Sequence, residues 1–170
     1  MNTFLHPVNN SDPGDSTKAD LLYQCISHNK MGGAMLIAKS LESSARADVI
    51  FNIAIAYSIA RNFSKSLEFF DRAISAIKKK MPSASHAPKP ADFLAARKLD
   101  ASTGGAFRPI SREYIAEFPE IALCDFLMAA AAAANAVGMD ARRGSYLAEL
   151  AGPEYAEFKD NLSKGKNDGD

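Results

Sequence analysis

Cys25 and His28 come closer to a catalytic pair than any other side chains in the sequence. Residues three apart share one face of a helix, and an imidazole beside a thiol can activate it as a nucleophile. The competing interpretation is a core cysteine next to a histidine that caps the end of a helix. We favour the second interpretation and keep the thiol enzyme as an alternative.

The sequence carries no motif of the common enzyme classes: no zinc-protease, phosphate-loop, dinucleotide-binding, hydrolase-elbow or paired-cysteine pattern. His6 and His86 have no neighbour at the spacing of metal ligands. Gly104 and Gly105 could form an anion-binding nest, but a flexible turn is the ordinary explanation of paired glycines. We therefore predict that the protein is not an enzyme and uses no metal and no cofactor.

Charge balance argues against electrostatically driven partners. The 170 residues hold 20 Lys plus Arg and 20 Asp plus Glu, so no net field draws the chain to nucleic acid or to an acidic membrane. We interpret Lys78–Lys80 and Lys89 as solvated lysines near a helix end. Cys25 and Cys124 are too few for a disulfide framework. We predict no nucleic-acid partner, no membrane partner and a cytoplasmic location, since no signal peptide is visible.

Composition and hydrophobic periodicity predict an all-α domain of antiparallel helical hairpins. The expected organisation is a polar N-terminal tail over residues 1–16, one helical domain over 17–160, and a polar C-terminal tail over 161–170. A proline- and glycine-containing insertion at 82–118 precedes the last hairpin. The first predicted helix starts at Ser16 or Thr17, and the next two cover 34–41 and 48–60. A fourth starts after a cap at Asn62 or Ser64. The remaining predicted helices cover 91–99, 111–117, 120–137 and 141–150, and a short one follows Gly152-Pro153.

Two of these helices have unusual composition. The 48–60 run is apolar on most sides, which predicts a helix sandwiched between neighbours. Residues 121–139 approach the length of a membrane span, but Asp125 and Asn135 interrupt the run. We predict that the alanines of this helix serve close packing instead.

Residues 47–80 resemble a tetratricopeptide repeat, a helix-turn-helix unit of 34 residues. Six positions agree in residue type with the family pattern, namely Ile53, Ala54, Tyr57, Ser66, Phe70 and Ala73. The sequence departs from the pattern at Ile50, Arg61 and Lys78, where the family often has Trp, Gly and Pro. Residues 17–44 and 120–151 fit as a preceding and a following hairpin, so the resemblance implies a stack of three hairpins.

The resemblance also implies a binding surface, because the first helix of each hairpin in this family lines a concave face that holds partner segments. The candidate residues are Phe51, Asn52, Ile55, Ser58 and Ile59. We expect a non-catalytic adaptor or scaffold that binds a protein or peptide, with a homodimer as one arrangement and an apolar or helical segment as the ligand. Alternatively these side chains are buried under the 82–118 insertion. A secretion-associated effector or chaperone, delivered by a specialised system, is the other function considered.

Overall fold

Helices make up most of the chain that the computed structural model describes, which is residues 13–81 and 107–164. No strand occurs in these two stretches, so the predicted all-α class is confirmed for them. The eight α-helices described are α1 (Pro13–Ser27), α2 (Met31–Ser40), α3 (Ala47–Ile59), α4 (Phe63–Lys78), α5 (Arg112–Glu117), α6 (Pro119–Ala136), α7 (Asp140–Glu149) and α8 (Ala156–Lys164), the last preceded by a 3₁₀ turn at Pro153–Tyr155.

Several element boundaries differ from those expected. Helix α1 begins at Pro13 and α8 ends at Lys164, so helical structure reaches into both predicted tails. The predicted helix at 91–99 lies outside the described residues. Helix α2 already contains Gly32 and Gly33; the chain instead reverses at Asn29, whose φ of 56° is in the left-handed region that Asn tolerates better than most residues.

Helix α3 is the centre of the molecule. Every residue from Ala47 to Ser58 is buried, which confirms the prediction of a sandwiched helix. Helix α3 contacts α1, α2, α4 and α6. Its burial on all sides explains why its sequence shows no polar face.

The helices form three neighbouring pairs, α1 with α2, α3 with α4, and α6 with α7. The first helix of each later pair contacts both helices of the pair before it. Neighbouring helices are thus stacked, an arrangement compatible with a helical-repeat fold. Small side chains allow the close approach within the second pair, since the Ser66 hydroxyl donates to the carbonyl oxygen of Ala54 at 2.9 Å.

The turn between α3 and α4 contains a strained residue. Arg61 has a φ of 58°, a conformation that costs an L residue about 1–2 kcal/mol relative to glycine. Asn62 then caps α4, because its side-chain oxygen accepts a hydrogen bond from the Lys65 backbone N–H at 3.3 Å. The repeat pattern often has glycine at the position of Arg61, and the positive φ shows that the backbone here also favours glycine.

Helix α6 carries the alanine run. Ala129, Ala130, Ala131, Ala133 and Ala134 are fully buried, and α6 contacts α3, α4, α5 and α7. Within the described residues it is the one helix long and apolar enough to cross a membrane, with a mean hydropathy of 1.2 and 50% of its length buried in the fold. A packed core helix meets the same criteria, so the described residues contain no clear transmembrane segment.

A polar cluster joins the third pair to the second. The Tyr146 hydroxyl donates to Asp71 Oδ1 at 2.5 Å, and Arg142 forms an ion pair with the same carboxylate. Burial, followed by the hydrogen bond to Asp71, raises the pKa of Tyr146 to about 12. The neutral phenol is thus the form that the folded protein stabilises.

Candidate functional site

The five residues predicted to form a concave face lie on α3, and four of them are in the interior. Phe51, Asn52, Ile55 and Ser58 are each less than 5% exposed, whereas Ile59 is 39% exposed. In the described conformation only the carboxyl end of this face reaches the surface. The binding role of these residues stays a prediction, and their burial corresponds to the alternative considered for them.

Phe51 joins the second and third helix pairs. Its ring stacks on Phe126 of α6 with 4.2 Å between centroids and 9° between planes, and it meets Phe70 of α4 at 5.6 Å in a tilted arrangement. Aromatic pairs of this kind contribute about 0.5–1.5 kcal/mol beyond the burial of their area. Phe51 is therefore a core residue whose replacement would disturb three helices.

Asn52 holds a segment that arrives from the end of the insertion. Its side-chain amide donates to the carbonyl oxygen of Ile110 at 2.9 Å, and its side-chain oxygen accepts from the N–H of the same residue at 2.9 Å. Both bonds are buried, and they join residues 58 positions apart. One amide thereby satisfies both backbone groups of one residue, as a neighbouring strand would.

The described end of the insertion, residues 107–118, is the cover segment. It contains Ile110, whose side chain is buried, and α5, which is capped by the Ser111 hydroxyl accepting from the Tyr114 N–H at 3.2 Å. The Tyr114 hydroxyl donates to Asp125 of α6 at 2.9 Å. The cover segment is thus fixed to α3 at one point and to α6 at another.

Ser58 makes its contact inside the second helix pair. Its hydroxyl oxygen lies 2.5 Å from that of Ser66. Because the Ser66 proton is used in the bond to Ala54, the Ser58 hydroxyl is the donor to Ser66. Ser58 therefore serves the contact between α3 and α4.

An open cleft lies at the amino end of α3. We call it the α3 cleft; its volume is about 870 Å³, within the range of about 300–1,000 Å³ that is typical of ligand pockets. Its walls come from α1, the 43–46 loop, the amino end of α3, the carboxyl end of α4, α5 and the start of α6. The lining residues are Asp15, Ser43, Ser44, Ala45, Arg46, Ala47, Asp48, Ile77, Lys80, Met81, Arg112, Ile115, Ala116 and Pro119.

The α3 cleft contains an internal ion pair. Arg46 Nη2 donates to Asp48 Oδ2 at 2.7 Å, and Arg46 Nε donates to Oδ1 at 3.3 Å. The hydrogen bond that Arg46 donates to Asp48 raises the pKa of Arg46. This two-point contact holds the loop before α3 against the first turn of the helix.

Of the residues considered for catalysis, Cys25 and His28 are described, and each contacts a residue of α1 or α2. His28 Nδ1 bonds to the backbone carbonyl of Gln24 at 2.8 Å, on its own helix. Cys25 packs where α1 meets α2, and a Cβ built on Gly33 would lie 3.3 Å from its Sγ. Among the residues described, no group of His, Cys, Asp and Glu is placed to hold a metal ion. His6, His86, Lys89, Gly104 and Gly105 lie outside the described residues.

Sequence reasoning did not find the partners of the α3 face. Ile110 lies in the predicted insertion and was given no role there. Neither Arg46 nor Arg112 belongs to a sequence motif. Asn52 itself was found, because the resemblance placed it on the candidate concave face. Comparison of the chain with protein-family models, with curated proteins and with solved structures returned no match.

Proposed function

We propose that this protein is a non-catalytic, tetratricopeptide-like hairpin array that binds a segment of another protein along the inner face of α3. The inner face is the predicted concave face that includes Asn52. The observation that supports the proposal is the pair of hydrogen bonds from Asn52 to the backbone of Ile110. An amide that bonds both backbone groups of a residue recognises an extended chain without requiring a particular side chain. The cover segment then acts as an internal occupant of a peptide site.

An internal occupant lowers the affinity of the site for other segments. A tethered segment is present at an effective concentration of the order of millimolar, so a partner must bind more tightly than the cover segment or act when it is released. This reasoning favours an adaptor whose inner face becomes available on release. We expect it to work in the cytoplasm.

The experiment uses a synthetic peptide with the sequence of residues 107–118 as the probe and Ile110→Ala as the releasing variant. Truncating the buried Ile110 side chain weakens the cover segment by about 2 kcal/mol. If the site accepts a segment in trans, the variant binds the labelled peptide up to about thirtyfold more tightly than the unmodified protein does. Fluorescence polarisation measures the two dissociation constants.

Two further variants serve as controls. Leu36→Ala removes a side chain that is 73% exposed on α2 and should bind the peptide as weakly as the unmodified protein. The double variant Ile110→Ala/Asn52→Ala should lose the gained affinity, because the group that bonds the peptide backbone is gone. A folded Ile110→Ala protein that binds the peptide no better than the unmodified protein refutes the proposed function.

Thiol catalysis through Cys25 and a secretion-associated role stay predictions from the sequence. Neither gains support from a contact in the described residues.

A further inference from the structure

We infer that the α3 cleft binds an acidic peptide segment that also carries an apolar side chain. The inference goes beyond the proposed function, because Arg112, Ile115 and Ala116 of the cover segment line the α3 cleft and the acidic segment would bind while the cover segment is in place. It is carried by the charges, the apolar wall and the size of the cleft.

The carboxylates of the α3 cleft are already engaged with cations. Asp48 is paired with Arg46 at 2.7 Å, and Asp15 Oδ1 lies 3.6 Å from Lys18 Nζ. The cleft is also lined by Lys80 and Arg112. Both are exposed, and neither makes an ion pair with any residue in the described part of the chain. Arg112 also interacts electrostatically with Glu113, which does not line the cleft. Counted over the lining residues, three cations (Arg46, Lys80 and Arg112) stand against two carboxylates (Asp15 and Asp48), so the charge left over is cationic.

Three helix ends at the cleft add to the same potential, whereas the carboxyl end of α4 carries the opposite partial charge. Asp15 lies in the first turn of α1, Asp48 in that of α3, and Pro119 is the first residue of α6. The amino end of a helix carries a partial positive charge. These ends would not make a site by themselves, but they strengthen the attraction that Lys80 and Arg112 exert on an anion.

Part of the lining of the α3 cleft is apolar. Ile77 is buried, and Met81 and Ile115 are partly buried and pack against the core. A bare anion would leave this wall uncovered, whereas a segment with an acidic and an apolar side chain would use both parts. A volume of about 870 Å³ accommodates a short piece of chain rather than a folded domain.

The test uses two labelled peptides with blocked ends. The acidic probe is Glu-Asp-Glu-Leu-Glu-Asp-Glu, and its matched control is Gln-Asn-Gln-Leu-Gln-Asn-Gln. We expect the full-length protein to bind the acidic peptide about tenfold more tightly at low salt, and the difference to shrink as salt screens the charges. Fluorescence polarisation at two salt concentrations gives the four constants.

The variant Lys80→Gln/Arg112→Gln should weaken binding of the acidic peptide about fivefold to tenfold, because each exposed ion pair contributes at most about 1 kcal/mol. The matched control Lys39→Gln/Arg61→Gln removes the same charge from exposed sites that do not line the cleft. Its affinity should stay within twofold of that of the unmodified protein.

Four results separate the inference from the proposed function. Equal affinity for the two peptides, or equal loss in the two double variants, overturns the acidic-segment inference. If Ile110→Ala binds the 107–118 peptide more tightly than the unmodified protein does, the proposed function stands without the inference. If that peptide also fails to bind, the proposed function fails as well.

Discussion

Replacing Asn52 with Ala tests how the cover segment is held. The change removes two buried hydrogen bonds to Ile110, each contributing about 1 kcal/mol net, so the expected loss is about 2 kcal/mol. If the cover segment stayed in place, two buried backbone groups would lack partners at about 1–3 kcal/mol each. Detachment of the cover segment avoids that cost. The loss of stability is therefore no larger than the free energy that holds the cover segment in place.

Two measurements follow from this reasoning. Urea unfolding should show a decrease of about 2 kcal/mol or less, with a melting temperature lower by up to roughly 8 °C. Hydrogen exchange should show the Ile110 amide exchanging at least about thirtyfold faster and losing protection relative to the amides of α4, which change only by the loss of global stability.

The matched control is Ser58→Ala on the same helix. It also removes a buried hydrogen bond, to Ser66 at 2.5 Å, and this bond does not involve the cover segment. The variant should be less stable while the Ile110 amide keeps its protection relative to the rest of the protein. If Asn52→Ala leaves the exchange of Ile110 unchanged, Asn52 does not hold the cover segment and the argument for the inner-face site is wrong.

Two further predictions concern stability. Arg61→Gly relieves the positive φ at the α3–α4 turn and should raise the free energy of unfolding by about 0.5–1 kcal/mol, after the extra entropy of glycine in the unfolded chain is subtracted. The control Glu68→Gly, at an exposed helical position, should lower the free energy of unfolding by about 1 kcal/mol. If Arg61→Gly melts at a lower temperature than the unmodified protein, Arg61 is not strained. The pKa of Tyr146 is raised to about 12 from its ordinary value near 10, so its contribution to stability is complete below pH 10 and is lost as the pH rises through 12. The free energy of urea unfolding of Tyr146→Phe should therefore depend less on pH in this range than that of the unmodified protein. Parallel curves for the two proteins would refute the raised pKa of Tyr146.

Much of the fold could be predicted because its signals are local. The α3–α4 pair follows from the apolar run at 48–60, the cap at Asn62 and the stripe of α4. The start of α1 at Pro13 was less visible, because its first turn contains Gly14 and polar residues. The strain at Arg61 had no signal beyond the departure from the repeat pattern, since the residue type does not report its φ.

The site was harder to predict because burial depends on distant residues. Phe51 and Ile55 are apolar, and an apolar side chain is equally suited to a groove and to a core. Their burial is decided by α6 and by the other helices around α3, which no local pattern specifies. The α3 cleft is assembled from six parts of the chain, so its cations could not be grouped from their spacing in the sequence.

The polar contacts between helix pairs have consequences for the order of folding. The bonds that close α3 on α4 join residues 8 and 12 positions apart, whereas those from α4 to α7 join residues 71 and 75 positions apart. Because the entropy of loop closure grows with separation, we expect the short-range pair to form first. In a nascent chain, α3 and α4 would then be packed together before the last hairpin has been synthesised. The last hairpin would fold against a surface that is already formed.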